Sequence, residues 1–245
     1  MRKLAICLAK GGVGKTTTAT NLACGLASHG KKVLLVDCDT QGQAGFFLGI
    51  KPKEGLAEVL QKTRTFAEVV CEIRPKLDLL AGGRTLSDAT LAIASRTMGI
   101  ERALSEALRP AEGHYDLVIL DMAPGWDLLS VNALIYAREI IAPVELQMAA
   151  VESLGQFVER VEDVQVYNPE LTIRYVLPTM WDKRSKESQD ILERLALVYP
   201  EQLCDPIKAS VKLFEATGQG QSIFEYAPKS TGAADYAKLI ARVLR

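Results

Sequence analysis

The ten residues Ala9-Lys10-Gly11-Gly12-Val13-Gly14-Lys15-Thr16-Thr17-Thr18 constrain this 245-residue chain more than any other stretch. They follow the apolar run Leu4-Ala5-Ile6-Cys7-Leu8, predicted to be a buried strand. They precede a helical pattern with Leu22, Ala23 and Leu26 on one side. Strand, glycine loop and helix form the context of a phosphate-binding loop. Glycines let successive backbone N–H groups turn toward one anion, and the helix start adds unpaired N–H groups and a positive dipole end. Gly11, Gly12, Val13 and Gly14 would line the phosphates. Lys15 would neutralise the terminal ones, and the Thr16 hydroxyl would hold Mg²⁺.

Two further strand ends carry acids. The run Val33-Leu34-Leu35-Val36 has no polar alternation, as expected of a parallel strand buried on both faces, and it leads into Asp37-Cys38-Asp39-Thr40-Gln41-Gly42. Leu117-Val118-Ile119-Leu120-Asp121 repeats the pattern, four aliphatic residues and then an aspartate that would support Mg²⁺. Open α/β sheets place ligands at such carboxyl ends of strands. Further strands are predicted over 77–80, 139–144 and 171–177. Helices are predicted up to Ser28, over 56–60, 66–70, 86–108 with a break at Gly99, 128–136, 151–164, 185–198, 211–216 and 233–244. The helix over 185–198 is expected to bury Ile191, Leu192, Leu195 and Val198. This alternation predicts an α/β fold, a mostly parallel, doubly wound sheet with helices on both faces. No linker, repeat or low-complexity run divides the chain, so residues 1–245 read as one domain.

Composition narrows the class. A 48% hydrophobic, 24% charged chain is that of a soluble globular protein, and a net charge of −1 leaves nucleic-acid binding to a local patch. Arg2 and Lys3 lead into only a few apolar residues, so no signal peptide is expected, and no run reaches the roughly 20 apolar residues of a membrane span. The cysteines Cys7, Cys24, Cys38, Cys71 and Cys204 form no C-x-x-C pair, and His29 and His114 are read as surface residues. Reduced thiols in a cytoplasmic protein without a zinc site are expected.

Alanine stands at position 9, where the general G-x-x-x-x-G-K-[ST] spacing asks for glycine, and Lys10 is an additional lysine. This arrangement resembles the deviant Walker A box, K-G-G-x-G-K-T-T, of the ParA/MinD superfamily, a class of P-loop ATPases. The resemblance covers almost the whole chain. Asp37-Cys38-Asp39-Thr40-Gln41-Gly42-Gln43 is similar to that family's D-x-D-P-Q-G-N, with Thr40 and Gln43 departing from it. Met122-Ala123-Pro124-Gly125 resembles its D-x-P-P switch turn, with Ala123 departing. Leu177-Pro178-Thr179-Met180 with Asp182-Lys183-Arg184 resembles L-P-T-M-x-D-x-R.

The resemblance implies roles. Lys10 would reach across a dimer interface to phosphates bound by a partner subunit. Asp39 would position the attacking water, or stand behind the Mg²⁺ ligands. Asp37 would belong to the metal shell or support the turn. Thr17 would contact the α-phosphate, and adenine would lie near Thr179, Met180 and the segment around Pro206. Trp126 is either a switch aromatic or a packing residue, with packing favoured. Lys183, Arg184 and Lys212, with Lys186 and Lys208 nearby, are either a solvated basic face or contacts to DNA phosphates. The implied protein is an ATP- and Mg²⁺-dependent ATPase that dimerises on ATP and binds nucleoid DNA without sequence preference. It would position a plasmid, chromosome or protein body through a ParB-like adaptor that stimulates weak hydrolysis.

Relatives of other classes are disfavoured. A MinD-like membrane ATPase needs an amphipathic terminal helix, whereas Tyr236, Leu239, Ile240 and Val243 suit a helix docked on the core. A nitrogenase-reductase-like protein needs cluster cysteines, and none lies between Cys71 and Cys204. No tyrosine-rich tail of an autokinase and no helix-turn-helix extension before the loop is expected. A nucleotide binder without hydrolysis stays open if Asp39 does not act on water.

Overall fold

A computed structural model describes all residues 1–245. Its strands are β1 (Arg2–Ile6), β2 (Val33–Asp37), β3 (Cys71–Arg74), β4 (Leu77–Leu80), β5 (Leu117–Asp121), β6 (Glu139–Glu145) and β7 (Thr172–Thr179). They form one sheet in the order β3-β4-β2-β5-β1-β6-β7, parallel except for β3, which runs antiparallel to β4 at the edge. The helices are α1 (Lys15–Ser28), α2 (Gln43–Phe47), α3 (Leu56–Leu60), α4 (Phe66–Val69), α5 (Leu86–Ala94), α6 (Ala103–Ala107), α7 (Leu128–Tyr136), α8 (Met148–Gln165), α9 (Lys186–Val198), α10 (Val211–Gly218), α11 (Ile223–Tyr226) and α12 (Thr231–Val243).

The strand period of two divides the interior into two cores. Leu4, Ile6, Leu35, Leu79 and Ile119 face α1 and α12, packing with Leu22, Leu26, Tyr236 and Ile240. Ala5, Leu34, Val36, Val118 and Leu120 face the opposite core, with residues of α3 and of α5 to α9. The expected doubly wound, mostly parallel sheet is therefore present. Gly25 lies inside α1, where glycine costs about 1 kcal/mol relative to alanine. A Cβ there would lie 2.0 Å from Ile240 Cδ1, so this glycine admits the close crossing of α12.

Several local expectations change. The helical region 86–108 is two α-helices with a 3₁₀ turn at Ile100–Arg102, because the chain leaves helical geometry after Ala94 and Gly99 takes φ +71°. On α9, Ile191 and Leu195 are buried, but Leu192 is only half-buried and Val198 is exposed, since the buried stripe is narrower than its apolar content. The edge strand β3 and the short helices α2 and α11 were not expected. Their sequences are too short for a period to register. Tyr236, Leu239, Ile240 and Val243 dock on the core as expected, His29 and His114 are exposed, and all five cysteines are free. No helix is long and apolar enough to cross a membrane.

Candidate functional site

The central strands bring the motifs together. β5 lies between β1 and β2, with Ile6 and Asp37 both in register with Asp121. The glycine loop leaves β1 and enters α1 through Gly12 (φ +77°) and Gly14 (φ +86°), in the left-handed region that favours glycine. Two contacts fix the loop from outside. Thr179 at the end of β7 donates its hydroxyl to Val13 O (3.0 Å), and Gly125 of the switch turn donates its N–H to Ala9 O (3.2 Å).

Lys15 is buried, and its Nζ donates to Lys10 O at 2.8 Å. Burial lowers its pKa, while the charges of Asp121, Cys7 and Asp39 oppose that shift. Lys10 is turned back on its own subunit. Its Nζ lies 3.0 Å from Glu145 Oε2, and Gln147 Nε2 donates to Glu145 Oε1 at 2.7 Å.

The three aspartates differ in what satisfies them. Asp37 accepts the Asp39 and Ala44 N–H groups at 2.9 and 3.0 Å, one on each oxygen. Burial nevertheless pushes its pKa up to about 6, against those two hydrogen bonds. Its carboxylate holds the turn through one hydrogen bond on each oxygen, which supports the structural role and leaves a lone pair on each oxygen for a metal shell. Asp39 is half-buried and accepts the Gln41 N–H at 2.9 Å. Asp121 is fully buried, and neither carboxylate oxygen has a hydrogen-bond partner. The Thr16 hydroxyl pulls its pKa down without forming a bond of normal geometry. Burial first and Asp37 second hold it well above the ordinary range. A buried carboxylate with two orphaned oxygens is costly unless a cation completes it. Beside Thr16, this donor set fits a hard divalent ion.

Two cavities merge along the loop. One of about 510 Å³ is lined by Gly11, Lys15, Thr16, Asp39, Pro124 and Asp127, among others. A second, of about 550 Å³, is mainly apolar and includes Phe46, Ile207, Leu213, Phe214 and Tyr236. Gly14, Thr17, Gln43, Phe47 and Met180 border both, so one groove runs from the anion-binding loop to an aromatic recess. Met180 stands at its rim with φ +54°. Thr179 also lines the recess while its hydroxyl holds Val13 O, and the segment around Pro206 enters it through Ile207 and Lys208. Phe46, Phe47 and Phe214 escaped sequence reading; the only available signal was an adjacent Phe pair just after the acidic turn.

The basic candidates are unequal. Arg184 pairs with Asp182 at 3.0 Å and Lys212 with Glu215 at 2.7 Å, and Lys208 is tied to Asp235 at 2.8 Å. Lys183 and Lys186 are exposed and have no acidic partner. Trp126 packs edge-on against Phe157, with ring centroids 5.9 Å apart and Arg160 over its face, which supports the packing reading.

A parallel sheet with this strand order, a glycine loop opening α1, and an acid at the end of the adjacent strand define a P-loop nucleoside triphosphatase fold and site. The sequence profile of the AAA domain family matches residues 1–173. The chain is 38% identical to the chromosome-partitioning ATPase Soj of Thermus thermophilus, over 100% of this chain and 96% of that protein. It is 35% identical to the chromosome partitioning protein ParA of Myxococcus xanthus, over 96% and 85%. Among solved structures, cobyrinic acid a,c-diamide synthase from Mycobacterium smegmatis, with bound ATP analogue and magnesium, superposes with a TM-score of 0.86 at 32% identity, covering 100% and 95%. The chain belongs to the ParA/MinD-type partition ATPases.

Proposed function

We propose that residues 1–245 act as one positioning ATPase domain that hydrolyses ATP with Mg²⁺, dimerises on ATP, and carries a cargo over DNA. The observation that carries this reading is the continuous groove. Its polar half has a lysine-bearing glycine loop and the orphaned Asp121 carboxylate, and its apolar half has the volume and aromatic lining of a base site. Thr16 and Asp121 would hold Mg²⁺, which when bound neutralises charge on the phosphates. Lys15 and the N–H groups of Gly11 to Gly14 bind the β- and γ-phosphates, and Thr17 the α-phosphate. Asp39 lines the phosphate cavity and orients water for attack. Phe47, Met180 and Phe214 enclose the adenine.

Lys10 supplies the dimer. Released from Glu145, it reaches the nucleotide of a partner subunit. Lys183, together with Arg184 and Lys212, contacts DNA phosphates without reading sequence, and an adaptor on the cargo stimulates turnover. The protein is then cytoplasmic and nucleoid-associated. Duplex DNA binding with ATP, ADP or no nucleotide across a salt series tests this. ATP-only binding that weakens steeply with salt is expected. Binding indifferent to nucleotide, or ATP-dependent capture by liposomes instead of DNA, overturns it.

A further inference from the structure

At the end of the sheet opposite the glycine loop, a cleft of about 840 Å³ is lined by Arg2, Arg138, Arg174, Arg242 and Arg245. It shares no residue with the nucleotide groove and lies at the opposite end of β1, a strand about 17 Å long at roughly 3.3 Å for each of its five residues. Five guanidiniums in one concavity, in a chain of net charge −1, are a local concentration of positive charge.

Their own glutamates answer only part of it. Arg2 pairs with Glu139 (2.6 Å) and Arg138 with Glu170 (2.6 Å). Arg242 donates only to the backbone carbonyls of Leu203 and Glu201, and Arg174 and Arg245 make neither an ion pair nor a side-chain hydrogen bond. Glu201 is the remaining acid of the lining. Three of the lining guanidiniums therefore have no carboxylate partner. Such like charges repel unless an anion joins them. Neutral donors are also present. The Tyr175 hydroxyl accepts from Arg2 Nη2 at 3.1 Å, which leaves its own proton without an acceptor, and the Thr172 hydroxyl is exposed.

We infer that this cleft is a second anion site, for a compact small molecule carrying two or more phosphate groups. Guanidinium forks match phosphate oxygens bidentately, and several converging on one hollow favour clustered phosphates over the spaced phosphates of a polymer. Arg174 and Arg245 provide the free charge, Arg242 a third guanidinium, and Tyr175 a hydroxyl donor.

Isothermal titration of the full chain with inorganic tripolyphosphate tests this, with the glycine loop blocked by saturating ADP–Mg²⁺ or disabled by Lys15→Ala. One site is expected to survive both treatments. It should weaken at least about tenfold in Arg174→Glu and in Arg245→Glu, which both alter exposed side chains and leave ATPase activity unchanged. Titration abolished by Lys15→Ala and indifferent to Arg174→Glu places the anion in the glycine loop and overturns the inference. So does an Arg174-dependent cleft that binds duplex DNA but not tripolyphosphate, or the absence of binding at millimolar concentration.

Discussion

Glu145 Oε2 lies 3.0 Å from Lys10 Nζ, so the lysine that an ordinary phosphate loop lacks is held by the end of β6 in its own subunit. Both side chains are largely shielded, at 27% and 18% exposure, which places the pair above a freely solvated ion pair in strength. A lysine engaged here is not available to a partner subunit.

Glu145→Gln is expected to release Lys10 and favour the ATP-bound dimer by about 1 kcal/mol, roughly a fivefold lower dissociation constant. Lys10→Ala should still bind nucleotide but not dimerise. Sedimentation of both variants with a non-hydrolysable ATP analogue checks this. Equal dimerisation of Glu145→Gln and wild type removes the latch.

Asp39→Ala should bind ATP and dimerise while its turnover falls by about 10²-fold or more, the usual contribution of a positioned base. Single-turnover assays on the preformed dimer measure the step directly. Near-normal turnover would mean that another group orients the water.

Asp121 makes a pH-dependent prediction. Its folded-state pKa is raised, so folding takes up a proton between the unfolded value near 3.8 and the folded one. Its contribution to stability therefore falls as pH rises through that window, and the full penalty applies above it. Metal-free Asp121→Asn removes the penalty and should melt a few degrees above wild type at pH 8, with the gap closing as pH falls. Added Mg²⁺–ATP should protect the wild type and not the variant. A variant less stable than wild type at pH 8 would contradict this reading of the carboxylate.

Phe214→Ala tests the apolar half of the groove. Loss of one aromatic wall should weaken ATP and ADP by about tenfold, within the range for base stacking, and leave pyrophosphate binding unchanged. Equal losses for all three ligands would move the base elsewhere.

Much of the site was legible because its parts are local. The glycine loop is a contiguous stretch whose function lies in its own backbone, and an aliphatic run ending in aspartate announces both a buried strand and the place its acid occupies. Roles that depend on what a side chain touches were not legible. Thr179 lines the recess as read, but that its hydroxyl also ties the loop at Val13 O was not visible, and neither was the pair of N–H groups, from Asp39 and Ala44, that Asp37 holds. Arg184 and Lys212 read as a solvated basic face or as DNA contacts, and neither reading disclosed the carboxylate that each has within 3.0 Å.

The sequence by itself determined the phosphate loop, the alternation of strands and helices, and the acids at the strand ends, since each is written in a few consecutive residues with a fixed period. Only the tertiary structure decided that Lys10 meets a glutamate 135 residues away, that Asp121 is left without a partner between β1 and β2, and that five arginines spread from position 2 to position 245 share one cleft. Those facts follow from which strands lie side by side in the sheet, a matter of long-range packing that no local pattern encodes.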